Sequence, residues 1–157
     1  MSLPEGFALR RASTDDLETL VVHRREMFRE MGYQDESVMD SMSVRFRVWL
    51  LDHMQAEDYL AWLVTASDRS VAAGAGLWLM DWPPHMIGTS DRRGNILNVY
   101  TSTNFRKQGL ARSLMETVLA WCRDNGIDTV ILHASPAGRS LYESMGFTAT
   151  NEMRLRF

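Results

Sequence analysis

The stretch NILNVYTSTNFRKQGLARSLM, Asn95 to Met115, passes from a strand pattern to a helical one through a basic turn that contains glycine. NILNVYT reads as a strand. RKQGLARSLMETVLAWCRDNG then reads as a helix, with Leu110, Ala111, Leu114, Met115, Val118, Leu119 and Cys122 on one face and Gly126 supplying the left-handed stop. The helix begins unusually. Helix starts favour Asp or Glu against the positive end of the dipole, yet no acid occurs between Ser102 and Met115, while Arg106, Lys107 and Arg112 crowd the first turn. Four unsatisfied backbone N–H groups add to that positive end, and an external anion is the economical answer to it. Next come DTVILHA, a strand, and SPAGRSLYESMG, a short helix, with Ser135 and Pro136 also readable as an N-cap and first helical position. A strand, helix and strand of these lengths favour a parallel pair joined by a right-handed crossover, so the fold class is mixed α/β.

Working outward, FALRRA reads as a first strand, and Ser13 with Asp16 form a capping-box pattern ahead of an amphipathic helix that ends at Gly32. A second helix is expected from about Glu36 to Gln55. YLAWLVTAS and VAAGAGLWLMDW read as an antiparallel pair, WPPHMIGTSDRRG from Trp82 to Gly94 as a long loop, and FTAT and EMRLRF as one or two closing strands. The 157 residues, 45% of them hydrophobic, suit one domain over 1–157 with its own core. A net charge of -3 gives no general attraction to nucleic acid or anionic membrane, although a local basic site remains open. RRAS and RKQGLAR lack the extended basic face with interleaved aromatics that nucleic-acid binding needs. Cys122 is the sole cysteine and the four histidines are scattered, which argues against a disulfide or a metal cluster. The longest apolar run, Val71 to Met80, is too short to span a bilayer and no signal peptide is legible, so a cytoplasmic protein is expected.

A strand leading into a glycine turn and a helix presents backbone N–H groups to phosphate. There is no GxxxxGK[ST], and GAG at Gly74 to Gly76 lacks the third glycine and the helix of a dinucleotide fingerprint. On local grounds two readings stand, a phosphate site and a solvated basic turn. NVYTSTNFRKQGLARSLM, followed after a strand by LYESMGF, resembles the GCN5-related N-acetyltransferase (GNAT) superfamily. Arg106, Gly109 and Ala111 match its Q/R-x-x-G-x-G/A cofactor motif, and Leu141 to Phe147 match its LYExxGF closing motif.

That resemblance implies a central sheet of six or seven strands, mainly antiparallel with a parallel, splayed central pair, and about four helices. It also implies acetyl-CoA as cosubstrate and no metal. The pyrophosphate would lie on the amides of Lys107, Gln108, Gly109, Leu110, Ala111 and Arg112, and the pantetheine arm beside Val99, Tyr100 and Thr101. Backbone donors near Val99 and Tyr100 would polarise the thioester carbonyl. Ser135 stands seven residues before Tyr142, where many members carry an asparagine that contacts the cofactor. Tyr142 would give a proton to the departing thiolate. As a phenol of pKa about 10 facing a thiol of about 8.5, it need only hydrogen-bond that sulfur; its spacing also permits packing beside Leu141 and Met145.

The implied acceptor is a primary amine, on a small molecule or on a protein, attacking directly. NILNVYT carries no acid, so the base is open among Glu26, His23, Asp81 and His85. His133 reads as a packed or surface residue. His23 to Tyr33 and Trp82 to Gly94 are the expected acceptor walls. A non-catalytic acyl-CoA sensor is the alternative, and a homodimer through EMRLRF is compatible with the family.

Overall fold

The computed structural model describes residues 3–157. The chain runs β1 (Phe7–Arg11), α1 (Leu17–Glu30), α2 (Glu36–Gln55), β2 (Tyr59–Ala66), β3 (Val71–Asp81), β4 (Arg92–Thr101), α3 (Leu110–Asp124), β5 (Val130–Leu132) and α4 (Arg139–Ser144). Local chemistry sets the helix starts. The Asp16 carboxylate accepts from the Ser13 amide at 2.9 Å ahead of α1, and Asp35 accepts from the Val38 amide at 3.1 Å at the start of α2.

The five strands lie in the order β1-β2-β3-β4-β5; all neighbours are antiparallel except β4 and β5. Because β2 is buried on both faces, its alternate residues serve two cores. Leu60, Trp62 and Val64 join Leu110, Leu114, Met115, Val118 and Cys122 of α3. Tyr59, Ala61 and Leu63 meet Leu20 and Val21 of α1 and Phe46 and Leu50 of α2. The sheet is thus the middle of three layers. Cys122 is a buried core thiol, pushed up to about 11 by burial.

The GAG stretch of β3 is explained by packing. A Cβ on Gly76 would lie 1.9 Å from the Tyr59 hydroxyl oxygen, and one on Gly74 would lie 2.9 Å from both His23 Nδ1 and Leu63 Cδ2. These glycines admit side chains from beneath the sheet.

Two expectations are corrected. Among the described residues there are five strands, since residues 148–157 carry no strand and donate no backbone–backbone hydrogen bonds. The alternation of EMRLRF does group Met153, Leu155 and Phe157, but all three are exposed, so no apolar face drives pairing. The parallel pair is consequently at the sheet edge rather than central. It is short as well: Gly94↔Val130, Asn95↔Ile131 and Ile96↔Leu132 are its whole register, whereas β4 continues to Thr101.

Gly76→Ala should lower stability by about 1–3 kcal/mol, the usual cost of overpacking a filled core. At ~2–4 °C per kcal/mol for a chain of this size, a thermal melt would show the loss as several degrees. An unchanged melting temperature would refute the packing account.

Candidate functional site

The site is where β4 and β5 part. Midway along β4, Asn98 adopts φ 57°, and the register with β3 shifts between Gly76↔Leu97 and Gly74↔Tyr100. This is a β-bulge, which bends its strand. Beyond it Val99, Tyr100 and Thr101 run on without a partner in β5 and line a cavity of about 1610 Å³.

The opposite rim is the start of α3. Lys107 (φ 60°) and Gly109 (φ 79°) are both left-handed, curling the turn so that successive N–H groups converge. The amides of Lys107, Gly109, Leu110, Ala111 and Arg112 have no acceptor among the described residues, while that of Gln108 closes the turn over Arg106 and Lys107; the first bond of the helix is Ser113 N–H to Gly109 O at 3.1 Å. Five free donors therefore crown the positive end of a 15-residue helix. A Cβ on Gly109 would meet no protein atom within 4 Å, so the space beside it is open. The residues fit a pyrophosphate. The basic side chains are less free than the sequence suggests: Arg106 donates to Thr101 O at 3.0 Å and pairs with Glu30 of α1, and Arg112 donates to Ser144 Oγ at 2.6 Å.

Of the expected site residues, Val99, Tyr100, Thr101, Arg106, Lys107, Gly109, Leu110, Ala111 and Ser135 line this one cavity. Gln108 and Arg112 flank the wall with their side chains outside it. The Ser135 hydroxyl accepts from the Gly138 amide at 3.2 Å, holding the turn before α4. Tyr142 is only 9% exposed, packs at 6.0 Å on Phe147, and lies behind Gly138, whose missing side chain makes room for its ring. Burial raises its phenol above the ordinary value.

The far end of the cavity is walled by Met27, Phe28, Met42, Phe46, Trp49 and Trp78. Here the structure shows what the sequence reading missed. Arg24 Nη1 donates to Asn98 Oδ1 at 2.7 Å, and Asn98 Nδ2 donates to the Tyr59 hydroxyl at 2.9 Å. The signals were present as an asparagine inside a strand and an arginine on the apolar side of an amphipathic helix.

None of the expected bases lines the cavity. His23 and Glu26 line a second, smaller cavity on the other side of Tyr100. His85 Nδ1 accepts from the Ile87 amide at 3.1 Å in an exposed loop. Of the two expected acceptor walls, the 23–33 segment contributes, but the 82–94 segment does not. Asp128 draws that loop away by accepting from the Thr89 and Ser90 amides at 2.6 and 2.9 Å. Among the described residues no helix is long and apolar enough to cross a membrane, and no group of three or more His, Cys, Asp or Glu is placed to hold a metal ion.

Comparison with known proteins agrees with this geometry. The acetyltransferase (GNAT) family profile matches residues 18–147, and the chain belongs to that family. It is similar to a GCN5-related N-acetyltransferase from Ralstonia eutropha JMP134, with 36% identity and a TM-score of 0.91 over 97% of this chain and 99% of that one. A predicted acetyltransferase from Clostridium acetobutylicum, solved with acetyl-CoA, shares the fold at 23% identity and a TM-score of 0.86, covering 96% of each chain. Human N-acetyltransferase 8 is 30% identical over 92 residues, which is 57% of this chain and 39% of that protein. The chain thus spans about two-fifths of that relative's length.

His23 yields a pH prediction. It is 5% exposed, its Nδ1 has no partner, its ring lies 5.0 Å from Tyr100, and burial pushes it down from 6.5 to about 4. Only the unfolded chain takes up this proton between those values, so stability contributed by the neutral ring is complete above pH 6.5 and is lost as pH falls toward 4. The loss should reach about 3 kcal/mol. Urea denaturation at pH 7, 6 and 5 should show the slope in the wild type and a flatter one in His23→Gln; equal slopes would sink the assignment.

Proposed function

We propose that the protein is an acetyl-CoA-dependent N-acetyltransferase, acting as one domain, that moves the acetyl group to a primary amine by direct attack. The free amides between Lys107 and Arg112, facing across one cavity the edge of β4 that β5 leaves unpaired, carry this reading. Those amides would hold the pyrophosphate, and the Val99–Thr101 edge would align the pantetheine arm by backbone hydrogen bonds. Acetyl-CoA supplies an activated thioester carbonyl. The amine nitrogen bonds to that carbon, the C–S bond breaks, the nitrogen gives up a proton and the sulfur gains one. Backbone donors of β4 at the bulge stabilise charge on the carbonyl oxygen. Tyr142 is the group proposed to hydrogen-bond the sulfur. Since burial makes its phenol a weaker acid than usual, hydrogen bonding rather than full proton transfer is its part.

The second reading, an acyl-CoA sensor without turnover, draws on one observation: Tyr142 lies outside the residues that line the cavity. Release of coenzyme A over a panel of amines, amino acids, polyamines and peptides separates the two. Turnover with one acceptor class, reduced by on the order of 10² or less in Tyr142→Phe, is expected. Tight acetyl-CoA binding with no turnover anywhere would favour the sensor.

Gly109→Ala tests the anion site. An alanine at φ 79° carries about 1–3 kcal/mol of strain and sets a methyl group in the open space beside the amides. Calorimetry should show acetyl-CoA affinity reduced by about tenfold or more (on the order of 1.4 kcal/mol). Undiminished affinity would place the cofactor elsewhere.

A further inference from the structure

The arginines of this region differ in burial and in partners: Arg45, Arg154 and Arg156 also line the cavity with no carboxylate partner among the described residues, but all three are exposed. On α1, Arg25 pairs with Glu36 and Asp40, and Arg29 pairs with Glu26 and Glu36. Arg106 pairs with Glu30, and Arg47 with Glu18. Arg24 is the most enclosed of the α1 arginines, yet no carboxylate lies within ion-pair distance of it among the described residues. Its contacts are a neutral amide oxygen, Asn98 Oδ1 at 2.7 Å, and two aromatic faces, Phe28 at 4.9 Å and Phe46 at 4.6 Å. Its Nε–H is buried with no acceptor. This guanidinium lines the apolar end of the cavity, where Glu30 is the one lining acid and is already engaged by Arg106.

A cation held in apolar surroundings with an idle donor is costly, and a carboxylate is the ligand that suits it best. The planar fork matches two carboxylate oxygens, and low surrounding polarity strengthens the attraction. The same charge disfavours an ammonium nearby, which helps an acceptor amine to react in its neutral form. Asn98 holds the guanidinium beside the bulge that precedes Val99, so the carboxylate would sit within a few bonds of the attacking nitrogen. The remainder of the molecule then faces Met27, Phe28, Phe46, Trp49 and Trp78.

Resting on the acetyl-transfer reading, we infer that the acceptor is a small amino carboxylate with an apolar or aromatic body, and that Arg24 selects it. Matched triplets test this: phenylalanine, phenylalaninamide and phenethylamine, and the same three forms of tryptophan. The free acid should exceed both neutral-ended forms in kcat/KM by about tenfold to hundredfold, the usual worth of a charged hydrogen bond. R24M should bring that ratio toward one, and R24K should retain part of it, because an ammonium keeps the charge and loses the fork. A merely structural arginine would lower all three substrates together and leave the ratio intact.

A ratio near one in the wild type, a preference that survives R24M, or faster acetylation of peptides than of free amino acids would each overturn the inference. Should R24M not fold, the wild-type triplets decide. Should no amine be turned over, the acetyl-transfer reading fails on its own, and calorimetry with 3-phenylpropanoate on the coenzyme A-loaded protein decides the role of Arg24. Binding weakened about tenfold or more in R24K upholds the carboxylate site; no binding to the wild type overturns it.

Discussion

The site depends on Asn98 adopting a left-handed conformation in the middle of β4. Most residues resist positive φ, and asparagine is among the few L residues that tolerate it. At φ 57° the strand gains a bulge opposite Ala75, and its pairing with β5 does not extend past Ile96. That divergence opens the cavity. The same residue closes the layer beneath: its amide is gripped by Arg24 on one side and by Tyr59 on the other, and Tyr59 in turn occupies space that only Gly76 leaves. A glycine in β3, a tyrosine in β2, an asparagine in β4 and an arginine in α1 form one chain of dependence. A buried polar network of this kind is tolerable only if its members are satisfied. Here every group but the Arg24 guanidinium meets that condition.

The opposite rim is built by different means. At the start of α3 the proposed anion site is backbone, so its charge would come from peptide dipoles and not from mobile side chains. Arg106 is part of the frame: its guanidinium joins Thr101 O of β4 to Glu30 of α1, bracing the turn against the helix across the cavity. Amides held by an αL turn and a braced strand edge are already positioned before a ligand arrives, which reduces the ordering cost of binding.

Local features were legible in the sequence, and long-range ones were not. RKQGLA announced a helix start lacking acidic residues, and α3 does begin there, at Leu110, with no acid in its first turn. Glycine and the αL turn are encoded within four residues of each other, so a linear pattern suffices. The ion pair that answers Arg106 lies 76 residues away and leaves no trace in spacing. Asn98 was hidden because NILNVYT alternates well enough to pass as a straight strand; only an asparagine amid apolar residues signalled the bulge. EMRLRF erred in the other direction. Its alternation is a property of the segment, whereas a strand needs a partner edge, and β5 offers three residues. GAG reads only as lacking a dinucleotide fingerprint, and its use in making room for Tyr59, Leu63 and His23 needs the neighbouring elements to be known.

The distribution of charge completes the account of why one arginine matters more than the others. The exposed pairs, such as Arg47 with Glu18 and Arg139 with Glu143, are open to water, which screens them, and they contribute little to the fold. Removing any of them would change little. Arg24 differs because the interior weakens solvation without offering an opposite charge, so its cationic form is maintained against a desolvation cost and offset in part by Asn98 and two aromatic faces. A methionine of similar length would avoid that cost but would leave the buried Asn98 Oδ1 without its donor. The fold accounts for one donor of that guanidinium, which Asn98 accepts, and leaves its charge without an opposite partner, which the proposed carboxylate would supply. Stability and function pull apart at this position, while at Gly76, Tyr59 and Asn98 they coincide.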